Sequence, residues 1–126
     1  MKHLPAAQLE VMLAVWEADE PITRNEIQRK LPDSQWKITT LNTLLNRLTQ
    51  NGFLNFGHRG KEYVYSPLVT KDEYVAFEGK SILKNLYDNS IKKFVASVCN
   101  SSDLTEQEIS SLQTLLSKLK EGDTCD

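Results

Sequence analysis

Residues 36–52, Trp36-Lys37-Ile38-Thr39-Thr40-Leu41-Asn42-Thr43-Leu44-Leu45-Asn46-Arg47-Leu48-Thr49-Gln50-Asn51-Gly52, carry two patterns at once. Leu41, Leu44, Leu45 and Leu48 recur at i, i+3, i+4 and i+7, the spacing of one buried face of an α-helix. Around the other face stand Thr39, Thr40, Asn42, Thr43, Asn46, Arg47 and Gln50: hydroxyls, amides and one guanidinium, with no carboxylate. Such a face can hydrogen-bond phosphates and base edges without repelling a polyanion. On these residues alone an ordinary solvated helix face is an equal reading, and the flanking sequence decides between them. Gly52 supplies the left-handed residue that commonly stops a helix.

Upstream, Thr23 and Glu26 fit a capping box, with Ile22 and Ile27 at the positions of its hydrophobic staple. The helix they open ends near Leu31, because Pro32 disfavours helical geometry in the residue before it. Asp33 to Lys37 then leads into the central helix, giving helix, turn, helix. In that motif the second member lies in the major groove while the first crosses the backbone. A still earlier helix is expected from Pro5 to Ala18, with Leu9, Met12, Leu13 and Trp16 inward. Trp16 reads as core, and Asp19-Glu20-Pro21 breaks the chain.

Downstream of Gly52 the period becomes extended. Phe53 to Phe56 and Lys61 to Tyr65 are rich in aromatic and β-branched residues, and Gly57-His58-Arg59-Gly60 lies between them. This is a β-hairpin with a basic tip. Alone it is a stabilising hairpin whose Arg59 keeps the loop soluble. Directly after a helix-turn-helix it reads as the wing of a winged helix, with Arg59 and Lys61 near a phosphate backbone or the minor groove. Ser66-Pro67 ends the strand.

The remaining chain is expected to be helical. Thr70 with Glu73, and Val69 with Tyr74, repeat the box and the staple, and Leu104-Thr105-Glu106-Gln107-Glu108-Ile109 repeats the signature again. Leu83, Leu86, Tyr87, Ile91, Phe94, Val95 and Val98 form one apolar series, broken near Asp88-Asn89-Ser90. Ile109, Leu112, Leu116 and Leu119 form another, ending at Gly122. These helices have too little chain around them to hide their apolar faces, so residues 70 to 120 are expected to build a homodimer. The expected fold is mainly α with a small β-hairpin: a winged helix-turn-helix over residues 1–69 and a helical dimerisation region over 70–126.

Composition narrows the function classes. The chain has 126 residues, 40% hydrophobic and 25% charged, which suits one domain or a small domain with an appended segment. No apolar run approaches the ~20 residues that span a membrane, and the N-terminus lacks a signal-peptide core. Cys99 and Cys125 form no CxxC pair. A reducing, cytoplasmic setting without a disulfide framework follows, and Cys99 reads as a buried small hydrophobe. Net charge is −2, but from Arg24 to Lys61 seven bases face two acids, and from Lys71 onward seven bases face ten acids. A basic middle points to an anionic partner.

The order helix, helix, recognition helix, wing and helical tail resembles the penicillinase-repressor family of winged-helix transcription factors, the BlaI/MecI/CopY group. The resemblance rests on Val11-Met12 with Trp16, on Thr39-Thr40-Leu41-Asn42-Thr43-Leu44-Leu45-Asn46-Arg47-Leu48, and on Gly60-Lys61-Glu62-Tyr63-Val64-Tyr65-Ser66-Pro67. It implies a cytoplasmic dimer on a palindromic operator that blocks transcription. By position, Thr39, Thr40, Asn42 and Thr43 would face the major groove with Asn46 beside them, and Arg47 would help hold the backbone. Arg59 and Lys61 would be wing contacts, with Arg24 of the second helix added from the basic middle. In members resembling the β-lactam-response repressors, a membrane-bound sensor protease triggers cleavage in the tail, here near Ser97-Val98. A small-residue helix packing in the dimer is the simpler reading of Ala96-Ser97-Val98-Cys99. The paired CxC motifs of copper-responsive members are missing, since only Cys125 stands near the end.

An enzyme is not expected: His3 and His58 lie far apart in sequence, and no Gly-rich phosphate loop or zinc-ligand spacing is present. No cofactor or metal is expected either. Two alternatives remain. One is a winged helix that binds protein, which would show apolar or acidic residues on the recognition face. The other is a small-molecule-sensing winged-helix regulator of a different family.

Overall fold

The structure, a computed structural model, describes residues 1–31, 36–99 and 104–122. Pro32, Asp33 and Cys125, which entered the reading above, lie outside them. The element order is α1 (Ala6–Ala18), β1 (Ile22–Thr23), α2 (Arg24–Lys30), α3 (Ile38–Gln50), β2 (Leu54–Arg59), β3 (Glu62–Pro67), α4 (Lys71–Leu86), α5 (Ile91–Cys99) and α6 (Glu106–Lys120). Among the described residues no helix is long and apolar enough to cross a membrane. The chain divides into two compact units, Met1–Gly79 and Lys80–Asp126. The first unit thus extends ten residues past the expected boundary after residue 69, because Tyr74 of α4 is buried in its core.

In the first unit α3 buries Leu41, Leu44, Leu45 and Leu48, as its spacing requires. They meet Val11, Met12 and Val15 of α1, Ile22, Ile27, Phe53, Leu54 and Tyr74 in one cluster. Helix α1 departs from expectation. It buries Gln8, Val11, Met12, Ala14 and Val15, while Leu13 is 43% exposed and Leu9 and Trp16 are only partly buried. Polar residues are so few in this helix that hydrophobic periodicity does not single out a face. Trp16 Nε1 instead donates to the Val69 carbonyl at 2.8 Å, and its ring lies 5.8 Å from Tyr74.

The capping box of α2 is complete: the Thr23 hydroxyl accepts from the Glu26 amide, and the Glu26 carboxylate accepts from the Thr23 amide. The Thr70–Glu73 box at the head of α4 is complete in the same way. Ile22 and Thr23 do more than cap. They form a short strand, unforeseen in the sequence, that pairs with β3, giving an antiparallel sheet of order β1-β3-β2. In the hairpin, Arg59 pairs with Glu62, so the strands run on through Gly57, His58 and Arg59 and only Gly60 and Lys61 connect them. The expected four-residue tip is therefore a two-residue turn, opened by Gly60 at φ +65°.

The second unit has a different character. Asp88 and Asn89 take φ values of 51° and 61°, which ends α4 and separates it from α5. Tyr87 stands edge-on to Phe94 at 5.3 Å. At α6 the box is only half formed: the Thr105 hydroxyl accepts from the Glu108 amide, but the Glu108 carboxylate takes the Thr105 hydroxyl, not the cap amide. Neither α5 nor α6 has a buried residue among those described. Cys99 is exposed in the single chain, contrary to its reading as a buried hydrophobe.

Candidate nucleic-acid interface

Burying the leucine stripe of α3 turns the opposite face outward. Thr39, Thr40, Thr43, Asn46, Arg47 and Gln50 are exposed, and Asn42 is half-buried. The Thr43 hydroxyl donates to the Thr39 carbonyl at 3.0 Å, which leaves its oxygen free to accept. With no carboxylate on α3, the face carries only neutral polar groups and the Arg47 cation.

Beside this face, β1 fastens β3 to the start of α2 and so brings the wing against the head of that helix. The result is a cleft of about 430 Å³ lined by Thr23, Arg24, Asn25, Asn42, Asn46, Lys61, Glu62, Tyr63 and Tyr65. Arg24, Asn42, Asn46 and Lys61 are thus brought together from three elements. Arg24 Nη1 donates to Asn42 Oδ1 at 3.2 Å, while Arg24 Nε is buried without an acceptor among the described residues. An unmet buried donor costs about 1–3 kcal/mol, so the fold supports this placement against a local penalty.

Arg59 is placed differently from a free wing contact. Its Nη2 donates to the Pro21 carbonyl at 3.0 Å, and its Nη1 lies 3.5 Å from the Glu26 carboxylate. The Glu26 carboxyl is held below the usual carboxylate range, first by hydrogen bonds from the Thr23 amide and hydroxyl, and less by the charges of Arg59 and Arg29. Burial raises the Tyr65 hydroxyl above its ordinary value, with the Arg24 charge opposing.

The hairpin also carries an aromatic face that charge-based reading passed over. Tyr63 lies edge-on to Phe56 at 5.6 Å and tilted against His58 at 4.8 Å; Phe56 and Tyr63 are half-exposed. Phe56, Tyr63 and Tyr65 share a second hollow with Asn46, Thr49 and Gln50 of α3. The signal was present as the alternation Phe56, His58 and Tyr63, Tyr65, which sends these residues to one face of the sheet.

The tail residues expected at a dimer interface, Leu83, Leu86, Tyr87, Ile91, Phe94, Val95, Ile109, Leu112, Leu116 and Leu119, are half-buried or exposed in the single chain. Ser97 and Val98 lie within α5 and are exposed.

Residues 4–118 match the family described as penicillinase repressor. The penicillinase repressor of Bacillus licheniformis is 29% identical over 123 residues, spanning 95% of this chain and 96% of that protein. The methicillin resistance regulatory protein MecI of Staphylococcus aureus is 25% identical over 116 residues, 92% of this chain and 94% of that one. Among solved structures, the DNA-binding domain of the repressor BlaI aligns with a TM-score of 0.51 at 35% identity, covering 59% of this chain and 94% of that chain. The monomeric form of Bacillus licheniformis BlaI in complex with the blaP half-operator gives a TM-score of 0.50 at 34% identity, covering 58% and 89%.

Proposed function

This chain belongs to the penicillinase repressor family and is a winged-helix, DNA-binding transcriptional repressor; we propose that it works as a homodimer on a palindromic operator. The observation that carries this reading is the exposed, carboxylate-free face of α3 beside the cleft holding Arg24 and Lys61. Thr39, Thr40, Asn42, Thr43 and Asn46 enter the major groove, and Arg47, Lys61 and Arg24 meet phosphates. Arg59 joins them by exchanging the Pro21 carbonyl and Glu26 for a phosphate. That exchange is cheap, because an exposed ion pair is worth about 0–1 kcal/mol.

Dimerisation is supported by the apolar residues that the single chain leaves exposed, among them Leu86 at 74%, Ile91 at 60% and Leu116 at 56%. A two-fold dimer then requires a two-fold site. Release from DNA is assigned to cleavage near Ser97-Val98 by a sensor protease. Helix α5 has nine residues, below the ~12–15 at which isolated helices hold together, so it depends on its packing, and a cut there detaches α6 from the DNA-reading unit.

Selection of random duplexes by the purified chain tests the reading: a two-fold symmetric motif is expected, with a dimer in sedimentation. Arg47→Ala is expected to weaken binding to every duplex and reduce the slope of log affinity against log salt by about 0.9 per protomer, about 1.8 for the dimer. An unchanged slope removes Arg47 from the phosphate contacts. Phe56 and Tyr63, half-exposed on the wing, favour the second reading, a protein-binding winged helix, and a folded dimer that enriches no sequence would shift the weight to that alternative.

A further inference from the structure

Arg24 begins α2 and Asn42 stands on α3, eighteen residues later; the hydrogen bond between them runs from Arg24 Nη1 to Asn42 Oδ1 at 3.2 Å. Chemistry fixes its sense. A guanidinium has five donors and no acceptor, so the amide atom turned to it is the oxygen and the NH₂ group points elsewhere. The root of the guanidinium is packed away from solvent, since Arg24 Nε is buried. Both side chains line the cleft that Asn46 and Lys61 share.

From this we infer that Arg24 is a positioning residue for base readout: it turns the Asn42 oxygen towards α2 and so presents the amide NH₂ group to the DNA. The inference rests on the DNA-reading role proposed for α3. An unrestrained asparagine reads adenine with both amide atoms, accepting from N6 and donating to N7. With its oxygen drawn to Arg24, one of the two lone pairs is taken and the NH₂ group is the end turned to the DNA. Its fitting partners are then edges that present acceptors, O6 and N7 of guanine or O4 of thymine. Arg24 thereby turns a potential adenine reader into a reader of guanine or thymine.

The test is selection of random duplexes by the full-length chain, by Arg24→Met, by Asn42→Ala and by the double variant, each checked for folding by thermal melting. The wild type should favour guanine or thymine over adenine at one symmetric pair of positions. Asn42→Ala should lose preference at that pair alone. Arg24→Met should gain adenine there, shifting the adenine-to-guanine ratio by about tenfold, the scale of one bidentate base contact. On the Asn42→Ala background the Arg24 change should shift nothing at that pair. Arg24→Leu, which likewise has no donor for the Asn42 oxygen, serves with the same outcomes if the methionine variant fails to fold. Adenine at that position in the wild type overturns the inference, as does an Arg24 variant that weakens all duplexes alike with its base preference unchanged. No enrichment by a folded wild-type dimer overturns the repressor reading, and this inference with it.

Discussion

The two units solve the same problem, hiding apolar surface, in opposite ways. In Met1–Gly79, thirteen of the described apolar residues close over one another. In Lys80–Asp126, α5 and α6 leave Ile91, Phe94, Ile109, Leu112, Leu115, Leu116 and Leu119 open, and no described residue of either helix is buried. The first unit carries its own stability. The second carries a demand for another surface, which the proposed partner copy meets. On the function proposed above, reading and assembly fall in different units, and each is expected to be disturbed without the other.

The strongest test of that separation is in the core. Phe53 is 2% exposed and stands edge-on to Tyr74, so Phe53→Ala should cost about 3–5 kcal/mol in urea unfolding, independent of protein concentration. Next in size, Leu112→Asp with Leu116→Asp should raise the dimer dissociation constant about hundredfold or more, since each leucine contributes about 1.5–3 kcal/mol when covered. Sedimentation reads the loss. The near-ultraviolet signal of the first unit should stay intact, and its collapse would show that the two units are not separable. The caps give a smaller contrast. Thr23→Ala breaks a complete box and a buried residue, for about 1–2 kcal/mol, whereas Thr105→Ala breaks half a box on an exposed helix, for about 0.5 kcal/mol. Equal shifts in melting temperature would erase the distinction.

The smallest effect concerns acid. Glu26, Glu73 and Glu78 are all held below the ordinary carboxylate value of 4.5: the first two by bonds from their capping threonines, the third chiefly by the Tyr74 hydroxyl. A carboxyl lowered in the folded state adds stability above its unfolded value and loses it as pH falls through the folded one. All three belong to the first unit, so it should weaken as pH falls below the ordinary value of 4.5 and on through their lowered folded values. Glu73→Gln keeps the capping geometry without the titration, and should flatten that loss in melts at successive pH values.

Legibility in the sequence followed the range of the signal. The α3 stripe, the two complete capping boxes and the break at Asp88-Asn89 are local patterns, and each stands where the residues placed it. The inward face of α1 escaped because its apolar residues surround the helix and Gln8 is buried among them. Strand β1 escaped because two residues carry no period, and its partner lies far along the chain. Gly57 looked like part of a turn but pairs with Val64 within the strand. The candidate site was half legible: the polar face of α3 follows from periodicity, but no spacing rule links Arg24 to Asn42 or sends Arg59 back to Pro21. Cys99 was misplaced because its surroundings depend on surface beyond its own helix.

The pairing of Ile22 with Tyr65 also sets a schedule for the newborn chain. That pair closes a loop of about forty residues containing α3 and the wing, at an entropic cost of about 3 kcal/mol, so it cannot form early or by local contacts alone. While the ribosome still holds β3, α3 can already seat its leucines on α1, but the wing is not yet fastened to the head of α2. A polypeptide halted before Tyr65 would carry the polar face of α3 without the cleft that β3 completes beside it. On the function proposed above, full occupancy of DNA waits for residues that follow the reading helix itself.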